Sequence, residues 1–500
     1  MTPARARFRR VRRWPTMSDD HRGLGARAPR PSPPGGIADP GAATTGAGGP
    51  AKAPPRDPGR VGSSAMRCTH AACWSARSLR HTAYAAAAAL VLSAAALTSA
   101  GTATAEPVAQ LPLPAVDPFY HYDRPLDDVA PGAILRTRQV PYGFHDLATP
   151  LTGTQVLYRT TDQQGRPMTT VATILRPLTP GAEKLVSYHM AYDALGSECD
   201  PSYTLTGNGS YSRAGTLEQG VISGYLAAGY AVVVPNYEGP DLAWTVGRQS
   251  AYAALDAIRA AEDVLDFSPA TPVGLAGYSG GSVPTQRGAE IAPDYAPELN
   301  IIGAAAGGVP VHLAHNLPYI SGSTHWAGVI PALIVAYQRA YGFDTDPFLS
   351  DRGRQILSTV DSRCIIDFAA KYPGLTDAEM VRAPYTSLLD VPAIVAAIND
   401  NIMGTGGTPR VPMLLGVGDA DGTGDDVMVT ADVEGLAREY CDRAVAVTYA
   451  RYDRLSHADA FVPFQAQAAQ FFTDRFAGAA PTDNCAVVGT GNSLAPVPVP

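Results

Sequence analysis

The pattern of apolar and polar positions changes character along the chain. Three runs at about 132–140, 153–160 and 168–177 alternate apolar with polar residues, the period-two signature of half-buried strands. Asp162-Gln163-Gln164-Gly165 separates the last two as a turn, so the three predict an antiparallel meander. From 185 onward the strand signals are short and continuously apolar, at 185–188, 230–234, 272–277, 299–304, 411–417 and 444–449. Strands apolar on both faces belong inside a parallel sheet. Helical stretches at about 216–228, 249–265, 280–292, 428–441 and 459–476 alternate with them. Between about 310 and 409 the strand signal disappears, and 327–341, 378–388 and 392–402 read as helices. The predicted fold class is α/β: a mostly parallel central sheet with an inserted helical cap.

Charge divides the 500 residues. Residues 1–105 hold 15 basic and 4 acidic side chains, whereas 106–500 hold 23 basic and 42 acidic ones. So acidic a body does not suit a phosphate backbone, whose binding needs clustered cations that release counterions, and nucleic acid is excluded as a partner. Residues 1–65 are rich in Arg, Pro, Gly and Ala without apolar periodicity, and read as a disordered or misassigned N-terminal extension. In 66–105 a basic stretch from Arg67 to Arg80 precedes an apolar run from Ala83 to Leu97 and the small residues Ala103-Thr104-Ala105. That is the three-part pattern of a secretory signal peptide, so an extracellular protein cleaved near Ala105 is expected. The remainder divides into a core at 106–310 and 409–477, a cap at 311–408 and a C-terminal tail at 478–500. Once Cys68 and Cys73 leave with the leader, Cys199, Cys364, Cys441 and Cys485 remain. None stands in C-x-x-C spacing, which argues against zinc, and export favours two disulfides among three connectivities.

The pentapeptide Gly277-Tyr278-Ser279-Gly280-Gly281 falls between a predicted strand and a predicted helix. A G-x-S-x-G match alone is a Gly-rich turn. In this context the small neighbours of Ser279 permit a cramped strand–turn–helix elbow that exposes its Oγ at the carboxyl end of the sheet, where the Gly280 N–H can stabilise an oxyanion. A serine hydroxyl needs a base, and His457 follows the last predicted strand by one loop and precedes the closing helix. His312, His315 and His325 fall at the start of the cap and read as packing or capping residues, and His189 as one that lines the site without being the base. The orienting carboxylate should follow the strand at 411–417, where Asp419, Asp421, Asp425 and Asp426 share one loop. Spacing does not choose among them, because Asp also caps helices and closes turns. As a calcium loop this segment lacks the twelve-position frame ending in Glu, so no metal is expected.

The chain order Ser, Asp, His is that of α/β-hydrolases. The elbow, its continuation from Ala292 to Asn300 and through Gly307-Gly308-Val309-Pro310, together with 187–193, 199–203 and Tyr237-Glu238-Gly239, resembles the secretory lipase family of yeast lipase A-like and actinobacterial extracellular enzymes. The resemblance spans most of 110–485. It implies an α/β-hydrolase core under a helical cap and ester hydrolysis without a cofactor. It selects Asp425 as the triad acid, leaving Asp421 and Asp426 as alternatives across a local insertion. It makes Asp193 the oxyanion-hole partner of Gly280, and it pairs Cys199 with Cys364 and Cys441 with Cys485.

The function so implied is a secreted serine hydrolase of carboxylic esters, a triacylglycerol lipase working through an acyl-enzyme. Its partner is a small-molecule or lipid ester, with a transient contact at a lipid interface and no stable protein partner. A short-chain or aromatic esterase or acyltransferase, a peptidase on the same fold and a non-catalytic binding protein stand as alternatives.

Overall fold

The computed structural model describes residues 109–500 apart from 145, 146, 178, 180 and 214. The leader expected at 1–105 lies outside the described residues. Among the described residues nine strands form one sheet: β1 Ile134–Phe144, β2 Leu147–Thr161, β3 Pro167–Leu175, β4 Leu185–His189, β5 Ala231–Pro235, β6 Val273–Tyr278, β7 Ile301–Gly307, β8 Met413–Asp419 and β9 Val447–Asp453. They lie in the order β1-β2-β3-β5-β4-β6-β7-β8-β9. β1, β2 and β3 form the expected meander, and β3 meets β5 antiparallel. Every later pairing is parallel, from β5–β4 to β8–β9. This is an α/β-hydrolase sheet with helical insertions.

The central strands are buried throughout because both of their faces are covered. Successive residues point to opposite sides: Val186 and Tyr188 join a core built on helices Thr216–Ala227 and His457–Phe476, while Leu185, Val233 and Leu275 join the core of Gly247–Leu265, Ser282–Tyr295 and Thr430–Asp442. Two strand glycines let the closing helix lie close. A Cβ at Gly274 would stand 2.5 Å from the Phe472 ring, and one at Gly416 equally close to Phe464. Phe464 and Phe472 are both fully buried there, and truncating such a ring costs about 3–5 kcal/mol.

Between β7 and β8 the chain adds helices Leu313–Ile320, Val329–Tyr341, Asp351–Val360 and Pro392–Asp400, with one-turn helices at Ile365–Phe368 and Asp377–Met380. The helix expected over 378–388 is only that last single turn. Val381 leaves it to pair with Leu349, and Pro384 cannot continue a helix. The helices at 313–320 and 351–360 were not predicted; the second is announced only by its cap, where Ser350 Oγ accepts the Gly353 N–H at 2.9 Å.

The insertion returns to the core through a buried ionic knot. Arg287 pairs with Glu290 at 2.8 Å and donates to the Ile402 carbonyl at 2.7 Å, while Glu290 accepts the Gly404 N–H at 2.6 Å, the Gly406 N–H at 2.8 Å and the Tyr440 hydroxyl at 2.6 Å. The tail adds a second tie. Past Cys485 it crosses helix Thr430–Asp442, buries Leu494, and exchanges two hydrogen bonds between Val497 and Asn399.

Candidate active site

The site forms because the parallel strands end at one edge of the sheet, where the segments that follow them converge. Asp193 comes after β4, Ser279 after β6, Asp425 after β8 and His457 after β9.

The turn at Ser279 holds a non-glycine residue at φ 53°, a left-handed conformation kept only where surroundings over-determine it. They do so here by crowding. A Cβ at Gly277 would meet the Gly281 carbonyl oxygen at 2.0 Å, and one at Gly281 would meet the His189 carbonyl oxygen at 2.0 Å. Helix Ser282–Tyr295 continues directly from the turn.

Ser279 Oγ lies 2.7 Å from His457 Nε2, and His457 Nδ1 lies 2.8 Å from Asp425 Oδ2. His457 is the first residue of the closing helix rather than a loop residue; Ser456 caps that helix by accepting the Asp459 N–H. The His457 N–H donates to the Asp425 carbonyl at 2.6 Å, and its own carbonyl accepts the Tyr278 hydroxyl at 2.7 Å, so ring and backbone are both held. Asp425 is fully buried, and its second oxygen accepts the N–H groups of Val427 at 3.2 Å and Met428 at 2.7 Å.

The other aspartates of that loop have other work. Asp419 takes the Gly422 N–H and a contact from Arg451, Asp421 closes a turn on the N–H groups of Thr423 and Gly424, and Asp426 is exposed at φ 86°. Among the described residues no group of three or more His, Cys, Asp or Glu could hold a metal ion.

The remaining histidines separate cleanly. His189 does not line the site. It is buried behind the elbow, bonded to Ser187 Oγ at 3.0 Å and Thr285 Oγ1 at 2.7 Å, and burial pushes its pKa down to about 3. His312 stacks on His315 at 4.0 Å and meets the tail at the Ala495 carbonyl, His315 pairs with Asp432, and His325 is exposed.

Asp193 sits at φ 41° with its carboxyl against Gly280, so close that a Cβ there would meet Oδ1 at 1.6 Å. It accepts the Trp244 indole N–H at 2.7 Å. Burial pushes its pKa up to about 6, while the N–H groups of Trp244 and Gly280 and the charge of His457 pull the other way. Its loop is stitched to the insertion: Leu195 N–H donates to the Arg363 carbonyl at 2.8 Å and Ile365 N–H to the Asp193 carbonyl at 3.1 Å. Beside these bonds Cys199 joins Cys364, and Cys441 joins Cys485 below the tail.

Two cavities meet at Ser279. An inner chamber of 50 Å³ under the insertion is lined by Gly280 and by apolar side chains that include Leu313, Leu317, Ile330 and Leu333. An outer groove of 520 Å³ is lined by His457, Met190, Leu217, Ile366 and Phe461. Asp193, Ser279, Trp326 and Ile365 line both. Trp326 stands edge to face on the His457 ring, 5.7 Å between centroids. Neither Trp326 nor Trp244 was singled out from sequence, since an isolated tryptophan carries no local mark of the site it will face.

A serine on a strained elbow, hydrogen-bonded to a histidine that a buried aspartate orients, can act as an activated nucleophile, and on this sheet it defines a serine hydrolase of the α/β-hydrolase class. The secretory lipase family matches residues 212–484. A "probable inactive lipase" of Mycobacterium tuberculosis is 36% identical over 74% of this chain and 84% of its own length, and a secreted triacylglycerol lipase of Malassezia restricta is 29% identical over 73% and 80%. Among solved structures, lipase A of Candida antarctica in its closed state superposes with a TM-score of 0.70 at 26% identity, covering 77% of this chain and 93% of that one. The chain belongs to the secretory lipase family, whose activity is that of carboxylic ester hydrolases. That membership fits a secreted protein acting on ester substrates.

Proposed function

We propose that this protein is exported with removal of a signal peptide near Ala105 and hydrolyses acylglycerol esters, triacylglycerols among them, through an acyl-enzyme. The observation that carries the reading is the unbroken run of hydrogen bonds from Asp425 through His457 to Ser279, with the nucleophile open to two cavities. Ser279 Oγ attacks the ester carbonyl carbon while His457 Nε2 takes its proton, and Asp425 holds the imidazole in the required tautomer. The Gly280 N–H, which the Asp193 carboxyl accepts in the free enzyme, turns to the oxygen that becomes negative when substrate is bound. Collapse breaks the bond to the alkoxy oxygen, which leaves as alcohol with the proton from His457. Water then gives a proton to His457 and its hydroxyl to the acyl carbon, releasing the carboxylic acid and restoring Ser279. The triacylglycerol substrate rests on the name of the Malassezia relative and on the apolar lining of both cavities.

The mycobacterial relative's name makes activity itself the point to test. The full chain, secreted and purified, is compared with Ser279→Ala on tributyrin and on p-nitrophenyl esters from acetate to palmitate. Turnover by the parent and none by the variant supports the reading. Two folded but equally inert proteins would overturn it.

A further inference from the structure

Resting on that reading, we propose that Trp326, with Ile365 beside it, is a partition that sorts the two ends of the ester, and that the protein selects a short acyl group on a bulky alcohol. The sorting follows from which residues line which cavity. His457 must hand its proton to the leaving alcohol oxygen, and it lines the outer groove but not the inner chamber. Gly280, the residue after the nucleophile, whose N–H the Asp193 carboxyl accepts, lines the inner chamber but not the groove. The alcohol therefore leaves, and water arrives, through the groove, and the acyl chain that stays on Ser279 lies in the chamber. When the bond from Ser279 Oγ to the acyl carbon forms and the bond to the alkoxy oxygen breaks, the two halves of the substrate part across the neck.

Four residues form that neck: Ser279 and Asp193 from the core, Trp326 and Ile365 from the insertion. The insertion side is tied together by its own backbone. The Gly328 N–H donates to the Ala369 carbonyl at 3.0 Å, Gly322 N–H to the Leu375 carbonyl at 2.8 Å and Gly374 N–H to the Ser323 carbonyl at 3.0 Å, which ties the segment bearing Trp326 to the one bearing Ile365. A Cβ at Gly328 would meet the Phe368 carbonyl oxygen at 1.7 Å, so the two backbones touch. Cys364, next to Ile365, is bonded to Cys199 and pairs with Ala194, one residue after Asp193. A partition anchored in this way exists before substrate arrives.

The size of each space sets the preference. The chamber's 50 Å³ is well below the ~150 Å³ of an apolar cavity that holds one benzene ring, so it takes fewer than about six acyl carbons while its walls stay in place. The 520 Å³ groove takes the remainder of a glyceride or another bulky alcohol.

The test is a matrix of esters on the full secreted chain, in which acyl length runs from acetate to octanoate on one alcohol and alcohol size from methyl to naphthyl on one acyl group. The parent should prefer acetate and butyrate to octanoate by at least tenfold in kcat/KM and tolerate the large alcohols. Trp326→Ala should raise the octanoate-to-butyrate ratio at least fivefold, and Trp326→Phe should keep the parent ratio. Leu333→Trp, which fills the chamber alone, should penalise butyrate against acetate without touching the alcohol series. Leu217→Trp, in the groove alone, should penalise naphthyl against methyl esters without touching the acyl series. If Trp326→Ala lowers every ester by one factor, Trp326 only packs on His457 and the partition is refuted; if the two Leu→Trp patterns are exchanged, the sorting is reversed. Both results presuppose ester turnover. A parent inert to every ester, with Ser279 unlabelled by a fluorophosphonate, overturns the ester-hydrolase reading instead.

Discussion

The two walls of the cleft are built by different rules. On the core wall, Ser279, Asp425 and His457 follow strands whose neighbours fix them through parallel hydrogen-bond ladders, as β8 and β9 are fixed from Met413↔Val447 to Asp419↔Asp453. On the other wall, Trp326, Ile365 and Leu333 stand on helices and loops outside the sheet, held by the Arg287–Glu290 knot, a disulfide and contacts between distant side chains. One such contact is Gln163, at the tip of the β2–β3 turn, which donates to Asp400 at 2.7 Å and to the Tyr341 hydroxyl at 3.0 Å. The Ser279–His457–Asp425 geometry thus rests on backbone topology and cavity shape on side-chain ties. Substitutions should therefore separate into those that stop the reaction and those that loosen or reshape the second wall.

The largest effect falls on the core wall. Ser279→Ala should cut kcat on the order of 10⁶-fold and Asp425→Asn about 10⁴-fold through the wrong imidazole tautomer, with melting temperatures close to the parent's. A collapse of the fold in either variant would blur the division. On the other side, Glu290→Ala leaves Arg287 buried without its partner and removes the acceptor of the Gly404 and Gly406 N–H groups, the Tyr440 hydroxyl and the Gln286 amide, and should cost about 3–5 kcal/mol in denaturant unfolding while the Asp425–His457–Ser279 hydrogen bonds stay possible. Residual activity per folded molecule should stay within about threefold of the parent, and a loss as deep as that of Asp425→Asn would show that the knot also positions the triad.

A middle-sized effect is expected from pH. Burial pushes Glu218 up to about 8 and Asp193 up to about 6. The folded protein then binds more protons than the unfolded chain between pH 4 and 8, so the stability these groups supply is full below the ordinary carboxyl range and is lost as pH rises through their folded values. Glu218→Gln keeps an acceptor for the Ala191 N–H, which Glu218 takes at 3.0 Å. It should remove on the order of 3 kcal/mol of that decline between pH 4.5 and 8, read as a flatter curve of unfolding free energy against pH. An unchanged slope would place the proton uptake elsewhere. The smallest effects sharpen the acid assignment: Asp421→Asn and Asp426→Asn should each leave kcat within about twofold, because neither carboxylate reaches His457.

Much of this was legible in the chain itself, for identifiable reasons. Alternation at 132–177 and continuous apolar runs from 185 onward marked meander and parallel sheet, since burial on one face or on both writes itself into every second residue or into each one. The elbow was legible because crowding around Ser279 demands small neighbours within two positions. What stayed hidden was decided between residues far apart. Asp425 differs from Asp421 and Asp426 only in that its loop folds back on Met428 and points its carboxyl at a histidine 32 residues on. The short helices at 313–320 and 351–360 carry too little periodicity to stand out, and the single turn at 377–380 ends where Val381 meets Leu349. Trp326 became a wall between two cavities only when the segments around 328 and 369 were brought into contact. The sequence alone determined the strands and helices of the core and which serine stands on the elbow, because those follow from local backbone chemistry and burial period. Tertiary structure alone decided which carboxylate answers the histidine and how much room each half of a substrate finds, because a contact between residues far apart in the chain leaves no mark in the residues on either side of it.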